Sequence, residues 1–244
     1  MKILSLGWGI QSFTLAAMAA LGDIESIDYA VHADTTHERT DTYTFAEKWT
    51  PWLEERGVKV VTVKPSNVEI FRRGGTALPA YTEGMLNRNC TSDWKIQPLR
   101  RWLQLNRDKQ PVEQWLGISL DEVQRMKQSD VKYITNRYPL IEMKMSRWDC
   151  KRWLENHGLE IPPRSACVFC PFHSRSEWRD IRDNAPEDWA KAVQVDSAIR
   201  KARPPYDLFV NAQRKPLDEC DLDNEIDKGQ LSLWENECEG LCGV

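Results

Sequence analysis

Seven cysteines are the residues of this 244-residue chain with the most distinctive chemistry. Cys167 and Cys170 form a Cys-x-x-Cys pair, a spacing at which both thiolates can reach one metal ion or cluster. The cytosol keeps thiols reduced, so metal binding, redox catalysis or plain burial must account for cysteines in a cytosolic chain. We therefore expect sulfur or metal chemistry at this pair.

A glycine-containing segment near the N-terminus is the second candidate site. It reads SLGWGIQS and lies between a short apolar run and a stretch rich in Ala, Leu and Met. Glycines at such a turn let backbone N–H groups surround a phosphate at a helix N-terminus, although a plain tight turn is the alternative. The full GxGxxG pattern is absent. The candidate nucleotide-binding residues here are Ser5, Gly7, Gly9, Gln11 and Ser12.

Polar residues follow a second apolar run, in the segment Ala33 to Glu38. Ligands of open α/β folds bind at the carboxyl edge of the sheet, so Asp34, Thr35 and His37 are further candidates for nucleotide binding. Asp34 can also be the N-cap of the next helix. We expect His37 to donate to a phosphate or ribose, whereas His32, His157 and His173 are expected to be structural.

The pattern around these residues predicts a doubly wound, mostly parallel α/β sheet. We predict strands over residues 2–6, 28–33, 58–63, 113–118 and 138–143. We predict helices over residues 11–21, 41–56, 93–105, 146–157 and within 175–202. Residues 65–92 are expected to form a long functional loop that covers the substrate. A tail rich in Asp, Glu and Gly starts at about residue 203.

Several segments in a fixed order resemble the phosphoadenosine-phosphosulfate (PAPS) reductase family. Gly7 to Ser12 is similar to the PP-loop, and Ala33 to Glu38 is similar to a DTG-H-E stretch. Cys90, Lys95 and the following Pro-Leu resemble a C-x-x-x-x-K-x-x-P-L segment. Further matching segments are Gly117 to Arg125, Tyr138-Pro139-Leu140 and Cys167 to Pro171. The resemblance covers roughly residues 3–180.

This resemblance implies a Rossmann-like fold of the adenine nucleotide alpha hydrolase type over residues 1–180. Residues 181–244 would then be a helical extension with a mobile, acidic, cysteine-containing tail. Arg88 and Arg125 join the candidate nucleotide ligands, and Lys95 is implied to stabilise the leaving phosphate in catalysis. The ending ECEGLCGV resembles the family's tail, which makes Cys238 and Cys242 candidate nucleophiles.

The resemblance also brings Cys90 toward Cys167 and Cys170. Related reductases hold a [4Fe–4S] cluster with a Cys-Cys pair and a Cys-x-x-Cys, but Thr91 takes the second place of the pair here. We expect Cys150 to be the fourth ligand. A [4Fe–4S] cluster, a structural zinc and uncoordinated cysteines all stay open, and Cys220 has no evident role.

The first functional hypothesis is a PAPS reductase-like enzyme that binds PAPS, APS or ATP, with a thiol reductant such as thioredoxin as partner. PP-loops usually carry Asp where this chain has Gln11, which disfavours magnesium-assisted cleavage of ATP. The second is an ATP-dependent sulfurtransferase with a sulfur donor, acting on a nucleobase or nucleic acid, with Mg²⁺ as its ion. The third is a nucleotide-binding module with structural zinc and no turnover.

Charge and hydropathy limit the partners. The net charge of −4 and pI near 5.7 disfavour nucleic acid as a general partner, leaving room only for a local basic cleft. The apolar runs are shorter than a membrane span and no signal pattern is evident, so we expect a cytoplasmic protein without a membrane partner. A homodimer is left open.

Overall fold

The computed structural model describes residues 1–72, 75–86 and 88–223. Its centre is a five-stranded sheet in the order β3-β2-β1-β6-β7, with every neighbouring pair parallel. The predicted α/β class with a mostly parallel sheet is confirmed. The strands are β1 Lys2–Ser5, β2 Tyr29–Ala33, β3 Val60–Val63, β6 Val112–Trp115 and β7 Ile134–Arg137, with a small antiparallel pair of β4 Phe71–Arg72 and β5 Gly75–Thr76.

Seven α-helices surround this sheet within the described residues. They are α1 Ile10–Leu21, α2 Thr40–Glu54, α3 Gln97–Asn106, α4 Pro139–Glu142, α5 Arg147–Asn156, α6 Arg175–Asn184 and α7 Pro186–Ile199. A π-helical turn, Ser92–Ile96, precedes α3, and 3₁₀ turns cover Leu120–Arg125 and Leu217–Glu219. The strand order reverses between β1 and β6, which is where open α/β sheets bind ligands.

The two faces of the sheet bury different cores because side chains alternate along each strand. Leu4 and Ala30 pack in the first core with residues of α1, α2 and α5. Ile3 and Val31, their neighbours in sequence, pack in another core with Leu99 and Leu103 of α3. Helices therefore cover both faces, and the carboxyl ends of the strands stay accessible between them.

A further core joins the C-terminal helices to the loops at the carboxyl edge. It contains Leu78, Trp94 and Phe169 together with residues on both sides of position 180, including Trp178, Ile181, Ile199, Leu208, Val210 and Leu217. Tyr81 and Phe209 exchange two backbone hydrogen bonds, of 2.8 and 3.1 Å. Residues 203–223 are thus packed against the fold, which differs from the acidic tail predicted from residue 203.

The buried carboxylate of Asp196 holds this segment in place. It accepts from the backbone N–H of Val210 at 2.8 Å and of Leu217 at 3.1 Å, and it pairs with Arg200. Asp188 likewise accepts from the backbone N–H and hydroxyl of Thr40, which ties α7 to α2. A charged residue inside a core is stable only when it is satisfied in this way.

The strand predicted over residues 138–143 is wrong. The strand, β7, ends at Arg137, and Pro139 opens the short helix α4. Proline has no N–H for a sheet ladder, whereas it suits the first turn of a helix, where that N–H has no partner anyway. The apolar residues that follow are too few for their pattern to distinguish a strand from a helix.

Candidate functional site

The N-terminal loop between β1 and α1 folds back on itself at the carboxyl edge of the sheet. The Ser12 hydroxyl accepts from the N–H of Gly7 at 3.2 Å and donates to the carbonyl of Gly9 at 3.3 Å. Trp8 lies between the two glycines with φ of +62°, a left-handed conformation that is unusual for a bulky residue. Its ring is buried against Phe13 and Phe45, so the hydrophobic core offsets the strain.

Gly117, just after β6, lets this loop approach the neighbouring strand. A Cβ at Gly117 would lie 2.8 Å from the backbone nitrogen of Ser12 and 3.1 Å from the carbonyl carbon of Gln11. Real Cβ atoms do not come so close to backbone atoms. A glycine is therefore required here for the loop to keep its place.

Gln11 is held by residues outside the loop. Its amide nitrogen donates to Glu122 at 3.2 Å, and Arg147 donates to its amide oxygen at 3.3 Å. Arg125, another predicted nucleotide ligand, pairs with the same Glu122. Gln11 and Arg125 thus belong to a polar network beside the N-terminus of α5.

A central cavity, with about 680 Å³ of empty space including its open mouth, lies at the carboxyl ends of β1 and β2. Val31, Leu99 and Ile134 give it apolar walls, and Ser5 and Gly7 of the predicted nucleotide set line it. Lys95 and Arg100 provide its cationic side chains, and Arg100 is also paired with Asp130. The remaining lining residues are Leu6, His32, Ala33, Thr91, Ile96, Gln114, Leu116, Ser129 and Asn136. An apolar slot with few polar groups and a cationic end suits a nucleotide.

A second cavity, of about 470 Å³, contains three of the four predicted metal ligands. Cys90, Cys167 and Cys170 all line it, together with Arg88 and Lys95. We call it the cysteine cavity. Lys95 and Thr91 line both cavities, so the cysteine cavity adjoins the central one.

Backbone pairing brings the Cys-x-x-Cys loop to this position. Glu38 and Cys167 form an antiparallel bridge, and the N–H of Val168 donates to the carbonyl of His37 at 2.8 Å. The N–H of Cys170 donates to the carbonyl of Cys167 at 2.9 Å, which closes a turn. Cys150 is completely buried in the first core, apart from the other three cysteines.

The wall between the two cavities contains a buried ion pair that the sequence alone did not single out. Lys95 Nζ lies 3.1 Å from Oε1 of Glu38, whose side chain is completely buried. The hydroxyl of Thr35 lies 3.4 Å from the same oxygen and 3.3 Å from Sγ of Cys167. Glu38 Oε2 is buried without a hydrogen-bond partner among the described residues.

This arrangement sets the charge states of the site. Burial pulls the pKa of Lys95 down, but the neighbouring carboxylate of Glu38 outweighs it, and the pKa lies above its ordinary value. Burial and the charge of Glu38 raise the pKa of the Cys167 thiol well above its ordinary value. The ammonium is therefore charged at neutral pH, and without a bound cation the Cys167 thiol keeps its proton.

Asp34 and His37 both contact neighbouring residues at the carboxyl edge of the sheet. Asp34 accepts from the N–H of Thr36 at 2.7 Å and from the hydroxyl of Tyr43 at 2.8 Å, so it fixes the turn after β2. The helix that follows has Arg39, rather than Asp34, as its N-cap. His37 lies between the rings of Trp94 and Phe169, and burial lowers the pKa of its imidazole.

Within the described residues, no three His, Cys, Asp or Glu side chains are grouped closely enough to hold a single metal ion. The predicted nucleophiles, Cys238 and Cys242, lie outside those residues. Across the part of the chain that the structure describes, no helix has the length and apolar character needed to cross a membrane.

The chain matches no family model and no curated protein. Among solved structures it is similar to phosphoadenylyl-sulfate (PAPS) reductase from Candida auris, determined as a phosphate complex. The match has a TM-score of 0.46 and 12% sequence identity, and it covers 66% of this chain and 74% of that one.

Proposed function

We propose that this chain is an enzyme that binds an adenine nucleotide in the central cavity and carries out sulfur chemistry at the end that faces the cysteine cavity. The observation that carries the proposal is the position of Lys95, which lines both cavities. A ligand phosphate or sulfonate bound by this ammonium would have its nucleoside in the apolar slot and its reacting group beside three thiols.

Lys95 suits the role of stabilising a leaving phosphate. Because its side chain is mostly buried, its charge acts on a bound anion with little screening by water. Glu38 holds the ammonium in place, so little reorganisation is needed when negative charge develops on the leaving group. Arg88, which lines the cysteine cavity, supplies a second cation on the sulfur side.

The reaction that fits this arrangement is reduction of a sulfonucleotide. A cysteine thiolate attacks the sulfonyl sulfur, a sulfur–sulfur bond forms, and the bond from sulfur to the phosphate oxygen breaks. The adenosine phosphate leaves with the electron pair and is stabilised by Lys95. A second thiol, from a reductant of the thioredoxin class, then releases sulfite and leaves a disulfide. The predicted tail cysteines, Cys238 and Cys242, are the proposed nucleophiles.

Gln11 favours a sulfonucleotide over magnesium-bound ATP. Its amide replaces a carboxylate that could ligate the ion, and both ends of that amide are already engaged by Glu122 and Arg147. Mg²⁺ prefers carboxylate, phosphate and water oxygens. Release of adenosine phosphate without pyrophosphate is the expected product pattern.

We propose that the cysteine cavity holds a [4Fe–4S] cluster, with Cys90, Cys167 and Cys170 as three of the four ligands that such a cluster takes. A cluster spreads its thiolates over several irons. These three cysteines would hold it, with Arg88 and Lys95 balancing its charge, and it would supply a redox-active neighbour for the sulfonyl group.

Two measurements on anaerobically purified protein test the proposal. Calorimetry should show that adenosine 5′-phosphosulfate binds, and that affinity falls at least tenfold in a Lys95→Met/Glu38→Gln variant that removes both buried charges together. Iron and acid-labile sulfide should be present and should be lost in Cys167→Ser and Cys170→Ser. Cys150→Ala is the matched control and should keep its iron. Protein with neither iron nor zinc and no affinity for adenine nucleotides would contradict the proposal.

A further inference from the structure

An exposed apolar edge lies on the 3₁₀ turn after Gly117. Leu120, Val123 and Met126 are 41%, 50% and 38% exposed. A kink at Glu122 separates Leu120 from Val123, and Met126 follows the turn in extended conformation. A backbone hydrogen bond fixes this turn to the residues that precede α5. The N–H of Leu120 donates to the carbonyl of Met145 at 2.9 Å.

An exposed aromatic side chain lies on the adjoining helix. Trp148, at the start of α5, is 62% exposed, and the guanidinium of Arg152 lies 4.5 Å from its ring centre. Lys151 follows Trp148 by three residues and Arg152 by four, so the three share one helix face. The backbone N–H of Arg147 donates to Asp121 at 2.6 Å, which fixes this face next to the 3₁₀ turn.

The local charge is opposite to that of the whole chain. Residues 119–152 contain eight Lys or Arg and five Asp or Glu, whereas the full chain has a net charge of −4. All five acidic side chains in this segment accept hydrogen bonds or pair with arginines: Asp121, Glu122, Asp130, Glu142 and Asp149. In contrast, the ammonium groups of Lys127, Lys144 and Lys151 form no ion pair with any described residue.

A groove that is open to solvent, with about 720 Å³ of empty space, begins at Met126 and Lys127 and adjoins the central cavity. Met126, Lys127, Gln128, Thr135 and Tyr138 line it. Three further residues, Ser129, Ile134 and Asn136, line both the groove and the central cavity. The groove therefore adjoins the candidate nucleotide site on the side away from the cysteines.

We propose that Met126, Lys127, Lys144, Trp148 and Lys151, which we call the basic patch, bind single-stranded nucleic acid. The lysines would contact phosphates and the indole would stack on a base, the combination by which proteins hold single strands without reading their sequence. The strand would run along the groove toward the central cavity. This binding is independent of which nucleotide the central cavity takes.

Two features favour nucleic acid over an acidic protein. The indole of Trp148 is the most exposed ring at the patch and carries a cation on one face, which is an arrangement that base stacking uses. Lys127 lies in an open groove, whereas protein interfaces are depleted in lysine at their core.

Fluorescence anisotropy with a labelled 12-nucleotide RNA and the matching DNA tests the inference on the full chain. Three lysine contacts predict a slope of about −2 for log affinity against log salt, since each single-strand phosphate contributes about 0.7. Affinity should therefore fall about 16-fold between 50 and 200 mM salt. Lys127→Ala/Lys144→Ala/Lys151→Ala should bring the slope close to zero, and Trp148→Ala should weaken binding about fivefold or more.

Matched controls separate this surface from general electrostatics. Lys109→Ala and Leu105→Ala change an exposed lysine and an exposed apolar residue outside the patch, and both should bind as the unchanged protein does. Circular dichroism and thermal unfolding confirm that each variant is folded. The inference is overturned by an absence of oligonucleotide binding at 50 mM salt, or by binding that survives the triple substitution. Competition by polyglutamate with no effect of Trp148→Ala would overturn it in favour of an acidic protein partner.

Discussion

Substituting Gly117 by alanine tests whether the glycine-containing loop between β1 and α1 binds the phosphate of the nucleotide. The new Cβ would lie 2.8 Å from the nitrogen of Ser12 and 3.1 Å from two further atoms, all of them backbone. An ordinary contact needs about half an ångström more, and backbone cannot rotate away as a side chain can. Overpacking of this kind costs about 1–3 kcal/mol, and here it would displace the backbone of the loop between β1 and α1.

Two properties of this substitution make the result easy to interpret. Gly117 does not have a left-handed backbone, so alanine has no penalty from φ, and the loss of chain entropy in the unfolded state favours alanine by about 0.4–1 kcal/mol. Gly84 is the matched control, because a Cβ there would meet nothing within 4 Å. Gly84→Ala should be neutral or slightly stabilising.

The assay combines urea unfolding with calorimetric titration of adenosine 5′-phosphosulfate. Gly117→Ala should lose about 1–3 kcal/mol of unfolding free energy and at least tenfold in nucleotide affinity, whereas Gly84→Ala should lose neither. A Gly117→Ala protein that is less stable but binds nucleotide normally would refute the role of the loop. A protein unchanged in both would refute the packing argument itself.

Three further predictions concern buried titratable groups. Lys95→Met should lower the unfolding free energy by about 3–5 kcal/mol, because the carboxylate of Glu38 stays buried without its cation, and Lys95→Met/Glu38→Gln should recover most of the loss in urea unfolding. Burial lowers the pKa of His32 in the folded chain, so as the pH falls the unfolded chain binds a proton before the folded chain does. The contribution of His32 to the free energy of unfolding should be fully present above about pH 6.5 and should fall by up to about 1.4 kcal/mol per pH unit below it. His32→Gln should make that slope shallower, and an unchanged slope would contradict the assignment. Asp196→Ala should cost about 3 kcal/mol because two buried N–H groups lose their acceptor, while exposed Asp183→Ala should stay within about 0.5 kcal/mol of the parent.

The first three strands were predictable from sequence because they are short, largely apolar runs separated by helical stretches. β1, β2 and β3 lie within the predicted ranges, since burial on both faces demands continuous apolar residues there. The strand prediction around Pro139 failed because a run of a few apolar residues has no periodicity that distinguishes a strand from a helix. The packing of residues 203–223 was missed because a run as short as 208–210 and a single apolar residue such as Leu217 show no periodicity.

The candidate site was predictable only in part, because long-range contacts decide it. Residue types and order indicated Cys90, Cys167 and Cys170, and the structure places all three at one cavity. The choice of Cys150 rested on its nearness in sequence, whereas helix α5 turns that thiol into the first core. Glu38 could have been found from its place next to His37 in the edge loop, but its ion pair with Lys95 spans 57 residues, a distance that no local pattern reveals.

A crystal structure of the anaerobically prepared protein with adenosine 5′-phosphosulfate would show whether the central cavity is the nucleotide site. We expect the adenosine in the slot walled by Val31 and Leu99, with the phosphate at Lys95 and the sulfonyl group facing the cysteine cavity. A nucleotide bound elsewhere, or bound with its sulfonyl group turned away from Cys90, Cys167 and Cys170, would contradict the proposal.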